Sequence, residues 1–234
     1  TVTCSGSVLK VGPTNHVTGF TASKGSPAYS NINFNWEAST GDVVPDGYLV
    51  RGSTVSFNAI ENPIDGTATP TNGLDKNFTS STDASISNLT ANTTYYFKIF
   101  PYTNSGTNIN YKTDGTIPQA SLKTGVAPNI ENFENIPTST SSYATCNWTN
   151  NGISWTATQA RTDQTITNRA ICFQDSGSPY LLSNDISNGC ASVSFKHQQK
   201  FSGSGGKITA VEINGVNKLS ADINVTTTVQ TASI

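Results

Sequence analysis

Short runs of alternating apolar and polar residues dominate the chain. In "YYFKIF", Tyr95, Phe97 and Ile99 share one face of a strand, because successive side chains of a strand point to opposite faces. Similar runs are "INFNW", "GISWTA", "ASVSFKH", "AVEIN" and "VTTTV". We find no convincing window with the 3.6-residue period of a helix. The pattern therefore predicts an all-β chain with little helix.

Dipeptides that favour tight turns stand between these runs. Asn-Gly and Asp-Gly tolerate the positive φ angles of hairpin turns. They occur at Asn72-Gly73, Asn151-Gly152, Asn188-Gly189, Asn214-Gly215, Asp46-Gly47, Asp65-Gly66 and Asp114-Gly115. We expect most of these pairs to connect antiparallel strands and some to lie in ordinary loops.

A domain boundary is predicted near "KTGVAPNIENF". Gly125 and Pro128 follow a strand-like run, and proline cannot donate a hydrogen bond to a sheet. We place one domain at 12–124, a linker at 125–128 and a second domain at 129–234. Residues 1–11 are either the tail of a preceding domain or a strand added to the first domain.

Composition narrows the classes of function. Charged residues make up 12% of the 234 residues, the net charge is -2, and the 13 basic residues are scattered. Nucleic-acid binding is not expected, because neutralising phosphates requires clustered Lys and Arg. Membrane insertion is not expected either, since there is no apolar run of about 18 residues. The chain starts at Thr1 and contains no methionine, which we interpret as a processed product or part of a longer protein.

The four cysteines are Cys4, Cys146, Cys172 and Cys190. Their wide spacing excludes zinc sites of the CxxC type. Two interpretations stay open. The thiols are free and buried in strands, or one disulfide, Cys172–Cys190, forms in an oxidising compartment.

The first half resembles a fibronectin type III domain. Leu89 precedes Tyr95 by six residues, as in that family's tyrosine corner, where the tyrosine hydroxyl bonds back to the preceding turn. Trp36 in "INFNWEAST" stands where the family has a core tryptophan. "PTNHVTGFTAS", "DGYLVRGS" and "IPQASLKT" resemble further strands of the family. The resemblance implies a β-sandwich with Trp36, Tyr95 and Phe97 in its core, and leaves Phe100 and Tyr102 as candidates for surface contacts.

The second half resembles a jelly-roll module of secreted Bacteroidetes surface proteins exported by the type IX pathway. The shared features are an N-F-E start at 132–134, the blocks "ITNRAICF" and "YLLSNDISNGCASVSF", and an Asn-Gly hairpin. The resemblance implies a second β-sandwich, a secreted or cell-surface location and no catalytic motif. Such a module is expected to continue past "NVTTTVQTASI". A sandwich that lacks a strand exposes an edge that another strand can join. The alternative is a shortened chain or a cleaved tail.

Catalytic machinery is not expected. The only two histidines, His16 and His197, have no recognisable nucleophile partner, and no G-x-S-x-G elbow occurs. We expect His197 to have a structural or surface role at a strand end. The "GSGG" at 203–206 precedes a strand rather than a helix, so we interpret it as a flexible loop and not as a phosphate-binding loop.

Two kinds of ligand are considered for the second half. Jelly-roll modules often stack aromatic rings on sugars, which makes Trp148, Tyr143, Arg161, Gln198 and Gln199 candidate ligand-binding residues. Alternation places Trp155 in the core, and the polar surroundings of Trp148 favour exposure of its ring. Jelly-roll modules also often hold structural calcium. Calcium prefers oxygen ligands, and Glu131, Glu134 and Asp163 are the candidates.

The sequence thus favours a non-catalytic, secreted or cell-surface pair of modules for adhesion or carbohydrate contact. One alternative is a structural subunit that assembles into filaments by strand exchange. Another is an accessory region of a larger extracellular enzyme such as a nuclease. No cofactor other than calcium is predicted.

Overall fold

The chain is all-β and folds into two compact units. The computed structural model describes residues 8–70, 73–79, 82–187, 189–202 and 205–234. The two units divide between Ala127 and Pro128, which lies within the predicted linker. Within these ranges no helix is long and apolar enough to cross a membrane. Predictions for Cys4, Asn72, Asn188 and residues 203–204 lie outside the described residues.

Unit 1 is an antiparallel β-sandwich. Its described strands are β1 (Thr18–Lys24), β2 (Ile32–Glu37), β3 (Gly47–Ser53), β4 (Lys76–Phe78), β5 (Asp83–Ile86), β6 (Thr94–Thr103), β7 (Asn110–Tyr111) and β8 (Gln119–Lys123). Short 3₁₀ helices span Phe57–Ala59 and Gly106–Asn108. One sheet has the order β1-β2-β5. The other has the order β4-β3-β6-β7, with β8 also paired to β6.

The space between the two sheets holds the main core of unit 1. Along β2, Ile32, Phe34 and Trp36 are buried in strict alternation, as the sequence predicted. The Tyr95 hydroxyl accepts a hydrogen bond of 2.8 Å from the Thr90 amide, and Leu89 is buried beside it. The predicted tyrosine corner is therefore confirmed, and unit 1 has a fibronectin type III-like fold.

A second apolar cluster covers the outer face of the larger sheet. It consists of Leu49, Phe100, Tyr102, Ile109 and Tyr111. The expectation that Phe100 and Tyr102 are available for surface contacts is wrong, because they are only 0% and 5% exposed. Ile109, which immediately precedes β7, packs against this face. As a result β3 is buried on both faces and shows no alternation over its first four residues.

Two of the predicted Asn-Gly turns are confirmed. Asn151-Gly152 and Asn214-Gly215 have positive φ angles and connect strands that pair directly with each other. Asp46-Gly47 is not a hairpin turn, since Gly47 begins β3.

Unit 2 is built around one long strand. Its described strands are β9 (Ala144–Asn150), β10 (Ile153–Ile166), β11 (Asn168–Phe173), β12 (Leu181–Ser183), β13 (Ser194–His197), β14 (Lys207–Ile208), β15 (Glu212–Ile213), β16 (Val216–Asn217), β17 (Ile223–Asn224) and β18 (Gln230–Ser233). Strand β10 pairs with β9, β11 and β12 in a four-stranded antiparallel sheet. The remaining strands form the two-stranded ladders β13–β18, β14–β17 and β15–β16.

The core of unit 2 forms around Trp148. This ring stacks on Trp155 at 6.3 Å and meets the Phe133 ring edge-on at 6.0 Å. Trp148 is only 5% exposed, so the expectation that its ring is exposed is wrong. The physical reason is the register of the hairpin. Trp148 lies directly opposite Trp155 across β9 and β10, so both rings point to the same, inner face.

Candidate functional site

The strongest candidate site lies in unit 2, where β10 and β11 run beside each other. Arg161 on β10 is opposite Cys172 on β11. Tyr143 immediately precedes β9, and Phe201 follows β13 by a few residues. Arg161 brings these separate segments together. We call the group of Tyr143, Arg161, Asp163 and Phe201 the Arg161 platform.

Two aromatic rings contact the guanidinium group of the platform. The Arg161 Cζ atom lies 5.7 Å from the centroid of the Tyr143 ring and 5.1 Å from that of Phe201. Both distances are within the range of cation–π attraction. Tyr143 is 38% exposed and Phe201 is 47% exposed, so both residues remain open to solvent. The platform therefore presents aromatic surface held in place by a shared cation.

Asp163 holds the guanidinium group of Arg161 in place through two hydrogen bonds to its carboxylate. Arg161 Nε donates to Asp163 Oδ1 at 2.7 Å, and Nη2 donates to Oδ2 at 2.5 Å. This bidentate pair raises the pKa of Arg161 and holds the pKa of the Asp163 carboxyl well below its usual range. The pair leaves the platform with no net charge at neutral pH.

The Tyr143 hydroxyl stays protonated at neutral pH. Burial is the main cause that raises its pKa, and the neighbouring Cys172 adds to the effect. Burial also raises the pKa of the Cys172 thiol. The platform therefore offers a neutral hydroxyl group beside two exposed rings.

The other predicted ligand-binding residues lie elsewhere or play a supporting role. Gln198 donates its side-chain amide to the Thr227 carbonyl at 2.7 Å. Gln199 donates its side-chain amide to the Phe201 carbonyl at 2.9 Å, which supports the loop that carries this ring. Trp148 belongs to the core and presents no face to a ligand. The structure thus brings together Tyr143 and Arg161, with Gln199 behind Phe201.

The three predicted calcium ligands have separate partners. Glu131 Oε1 accepts from the Phe133 amide, Glu134 Oε1 accepts from the Arg169 amide, and Asp163 pairs with Arg161. In the described part of the chain, no three His, Cys, Asp or Glu side chains gather into a group that could hold a metal ion. Calcium binding stays a prediction, and this geometry does not support it.

The predicted Cys172–Cys190 disulfide is wrong in this structure. Cys146, Cys172 and Cys190 are all free thiols and half-buried. The Cys172 Sγ donates to the Phe173 carbonyl at 3.8 Å, while the Cys190 Sγ donates to the Ser192 carbonyl at 3.3 Å. The interpretation that these cysteines are free agrees with the structure.

Arg169 is a structural residue that the sequence analysis missed. Its guanidinium group donates to the carbonyls of Ile136 at 2.8 Å and Thr138 at 3.3 Å. Its backbone amide binds Glu134. The N-F-E start and the "ITNRAICF" block are therefore in direct contact. The signal in the sequence was that Arg169 is the only charged residue in the "ITNRAICF" block.

No family model matches the chain, and no curated protein matches it. The solution structure of the fn3 domain of human contactin 1 is similar at 15% identity and a TM-score of 0.36, covering 55% of this chain and 93% of that one. A β-sandwich protein from a computer-based redesign is similar at 18% identity and a TM-score of 0.28, covering 52% of this chain and all of that one. The two sheets, the tyrosine corner and the buried Trp36 are the features that give unit 1 its fibronectin type III-like fold. The resemblance of unit 2 to Bacteroidetes modules stays a prediction.

Proposed function

We propose that this chain is a non-catalytic, secreted or cell-surface binding protein in which unit 2 contacts a neutral carbohydrate. The observation that carries the proposal is the Arg161 platform, where one guanidinium group holds two half-exposed rings. In this proposal unit 1 acts as a spacer. An accessory role in a larger extracellular enzyme remains a prediction with no separate support.

The chemistry of the platform suits a sugar. The apolar face of a sugar ring packs on an aromatic side chain, while its hydroxyls find donors and acceptors close by. Tyr143 supplies both a ring and a neutral hydroxyl, and Phe201 supplies a second ring. Because Asp163 already neutralises Arg161, the platform favours neutral over acidic glycans.

Affinity electrophoresis in gels that contain β-1,4-glucan, xylan or mannan tests the proposal. We expect at least one of these polysaccharides to retard the protein. Phe201→Ala and Tyr143→Ala should each weaken this retardation about five- to tenfold, since one aromatic contact contributes about 1 kcal/mol. Phe173→Ala is the matched control, because it removes another exposed ring outside the platform. Unchanged retardation of both platform variants would refute the proposal.

A second candidate function, self-assembly through strand exchange, is favoured by strand β12. In the described residues β12 pairs only with β10, so its other edge has unpaired backbone groups. The neighbours Leu181 and Leu182 point to opposite faces, and they are 38% and 57% exposed. The proposed occupant is a strand from a second copy of this chain.

Light scattering over a range of protein concentrations tests this second candidate. We expect the average mass to rise with concentration, and Leu182→Lys to prevent the rise because it charges the edge. A wild-type protein that stays monomeric at every concentration would exclude this function.

A further inference from the structure

Residues 8–11 lie against one end of unit 1 and are held there by side chains. This segment precedes β1 and is not part of a strand. Asn104, which immediately follows β6, contacts it through both polar atoms of its side-chain amide. Its Oδ1 accepts from the Lys10 amide at 2.9 Å, and its Nδ2 donates to the Lys10 carbonyl at 2.7 Å. Asn104 therefore pairs with the backbone of Lys10 much as a neighbouring strand would.

Two neighbouring side chains complete this contact. Asp46 forms an ion pair with the Lys10 ammonium group, and it also accepts from the Asn104 amide at 2.8 Å. Thr103 Oγ1 donates to the Val11 carbonyl at 2.8 Å, and Thr103 is itself fully buried. We call the group of Asp46, Thr103 and Asn104 the Asn104 clamp. It recognises an extended backbone and one positive charge.

The hold of the clamp on the segment is polar and close to solvent. Val8, Leu9 and Val11 are exposed, so their side chains add no burial to the contact. The ion pair of Lys10 is also partly exposed, and such pairs contribute little to stability. Segments with few buried apolar contacts open locally at low cost. Residues 8–11 can therefore leave the clamp while the core of unit 1 stays folded.

A hinge lies directly after the segment. Pro13 is buried, and the Thr14 amide donates to the Val43 carbonyl at 3.1 Å, so the chain is anchored to unit 1 from Pro13 onwards. Gly12 separates this anchor from the segment, and glycine has more backbone freedom than any other residue. A Cβ at Gly12 would come no closer than 3.7 Å to the Asn110 Cβ, so packing does not lock the chain here.

We propose that the Asn104 clamp is a peptide-binding site whose partner is the segment 8–11 of a second copy of this chain. When two copies exchange their segments, each clamp holds the Lys10 of the other copy through the same contacts. Exchange of an identical element is a low-cost route to a symmetric dimer. The proposal gives a binding role to unit 1, which the function proposed above treats as a spacer, and it uses a surface other than the edge of β12.

Two charge-reversed variants of the full chain test this exchange. Lys10→Asp reverses the charge of the segment and leaves the clamp intact, whereas Asp46→Lys reverses the charge of the clamp and leaves the segment intact. Each variant alone places like charges together, which opposes docking within a copy and between copies. In an equimolar mixture, every clamp meets a segment of opposite charge. Both chains also carry Leu182→Lys, so that the edge of β12 does not contribute.

We expect each variant alone to be monomeric and the mixture to form a dimer with about twice the mass. Light scattering up to millimolar protein measures this mass, since contacts of this kind are weak. A second readout is the side-chain amide signal of Asn104 in ¹⁵N-labelled Lys10→Asp. It should shift in a saturable way when unlabelled Asp46→Lys is added, and this shift requires only the segment of the added chain.

Three outcomes would overturn the proposal. The first is a mixture with neither a dimer nor a shift of the Asn104 signal. The second is a dimer that persists when both chains also carry Asn104→Ala, because assembly would then not use the clamp. The third is an equal dimer when Lys24→Asp replaces Lys10→Asp. Lys24 is exposed on β1 outside the clamp, so this matched control has the same net charge and reports general charge attraction.

Discussion

Gly47 shows how a single residue can have a different role from the one its local sequence suggests. The Asp46-Gly47 pair has the composition of a turn, yet Gly47 is the first residue of β3. It lies opposite Tyr102 on β6, and that ring occupies the space where a side chain would be. Glycine is required here for close packing and not for a left-handed backbone.

Replacing Gly47 by alanine should destabilise unit 1. The new Cβ would lie 2.5 Å from Tyr102 Cζ and closer still to its hydroxyl. The buried ring would have to move and would lose its 2.6 Å hydrogen bond to Asn77. We expect a loss of about 1–3 kcal/mol in the free energy of unfolding, measured by urea denaturation. Gly12→Ala is the control, because its Cβ would come no closer than 3.7 Å to Asn110 Cβ. Equal stabilities of the two variants would contradict this account.

Tyr111 makes the stability of unit 1 depend on pH in the alkaline range. Burial, followed by the nearby Tyr102, raises the pKa of Tyr111 from an ordinary value of 10.0 to about 12. The hydroxyl donates to the Thr67 carbonyl at 2.9 Å, and this bond requires the proton. A raised pKa in the folded state means that the folded protein retains the proton longer than the unfolded chain does.

The stability of unit 1 should therefore decline between about pH 10 and pH 12. Below pH 10 the contribution of Tyr111 is complete, and it is lost as the pH rises through the pKa of the folded state. Urea denaturation at pH 9, 10.5 and 12 measures this decline. Tyr111→Phe should show a smaller decline than the wild type, while Tyr96→Phe leaves the buried pair Tyr102 and Tyr111 in place and should show the full decline. A decline in Tyr111→Phe as large as that of the wild type would assign the effect to other groups.

At the scale of elements, hairpin register decides which side chains are buried in unit 2. The two-residue turn at Asn151-Gly152 places Asn150 opposite Ile153 and therefore Trp148 opposite Trp155. This pairing could have been read from the sequence, because a two-residue hairpin loop sets the register of its strands. The position of the turn predicts the burial of Trp148 better than the polar residues around it do.

Arg169 on β11 supports the segment before β9 through its guanidinium group. Arg169→Gln should destabilise unit 2, because it removes the donors to the Ile136 and Thr138 carbonyls. Hydrogen bonds from a charged donor contribute about 1.5–3 kcal/mol each, so we expect a loss of at least that size in urea denaturation. Arg161→Gln is the control in the same unit. Its partner Asp163 is outside the core, so it should affect glycan retention more than stability. The reverse ranking of the two stabilities would refute the structural role of Arg169.

At the scale of the whole molecule, two units with separate cores suggest two separable folding units. Unit 1 has its core between two sheets and a second cluster outside them, whereas unit 2 has its own cluster around Trp148. The division between Ala127 and Pro128 assigns each described strand to one unit.

Fragments 8–127 and 128–234 should each fold when produced alone. Dispersed amide signals in ¹H–¹⁵N spectra and cooperative thermal unfolding would report this. Fragment 8–115 is the control, because it lacks β8, which pairs with β6 and packs Leu122 against the core. We expect this shorter fragment to be unfolded. An unfolded 8–127 fragment would show that unit 1 needs residues beyond its own limits.

Sequence patterns alone were enough to predict the all-β class, the alternation along β2 and the hairpin at Asn151-Gly152. The tyrosine corner at Tyr95 was predicted from the resemblance to the fibronectin type III family. These features depend on neighbours within a few residues, where strand periodicity and turn conformation act directly. The burial of Phe100 and Tyr102, the covering of Trp148 and the position of Arg161 between Tyr143 and Phe201 became clear from the folded structure and not from the sequence. Each of these outcomes depends on segments distant in sequence that cover a face or bring rings together. Alternation shows that a strand has two faces, but it does not show what packs against either of them.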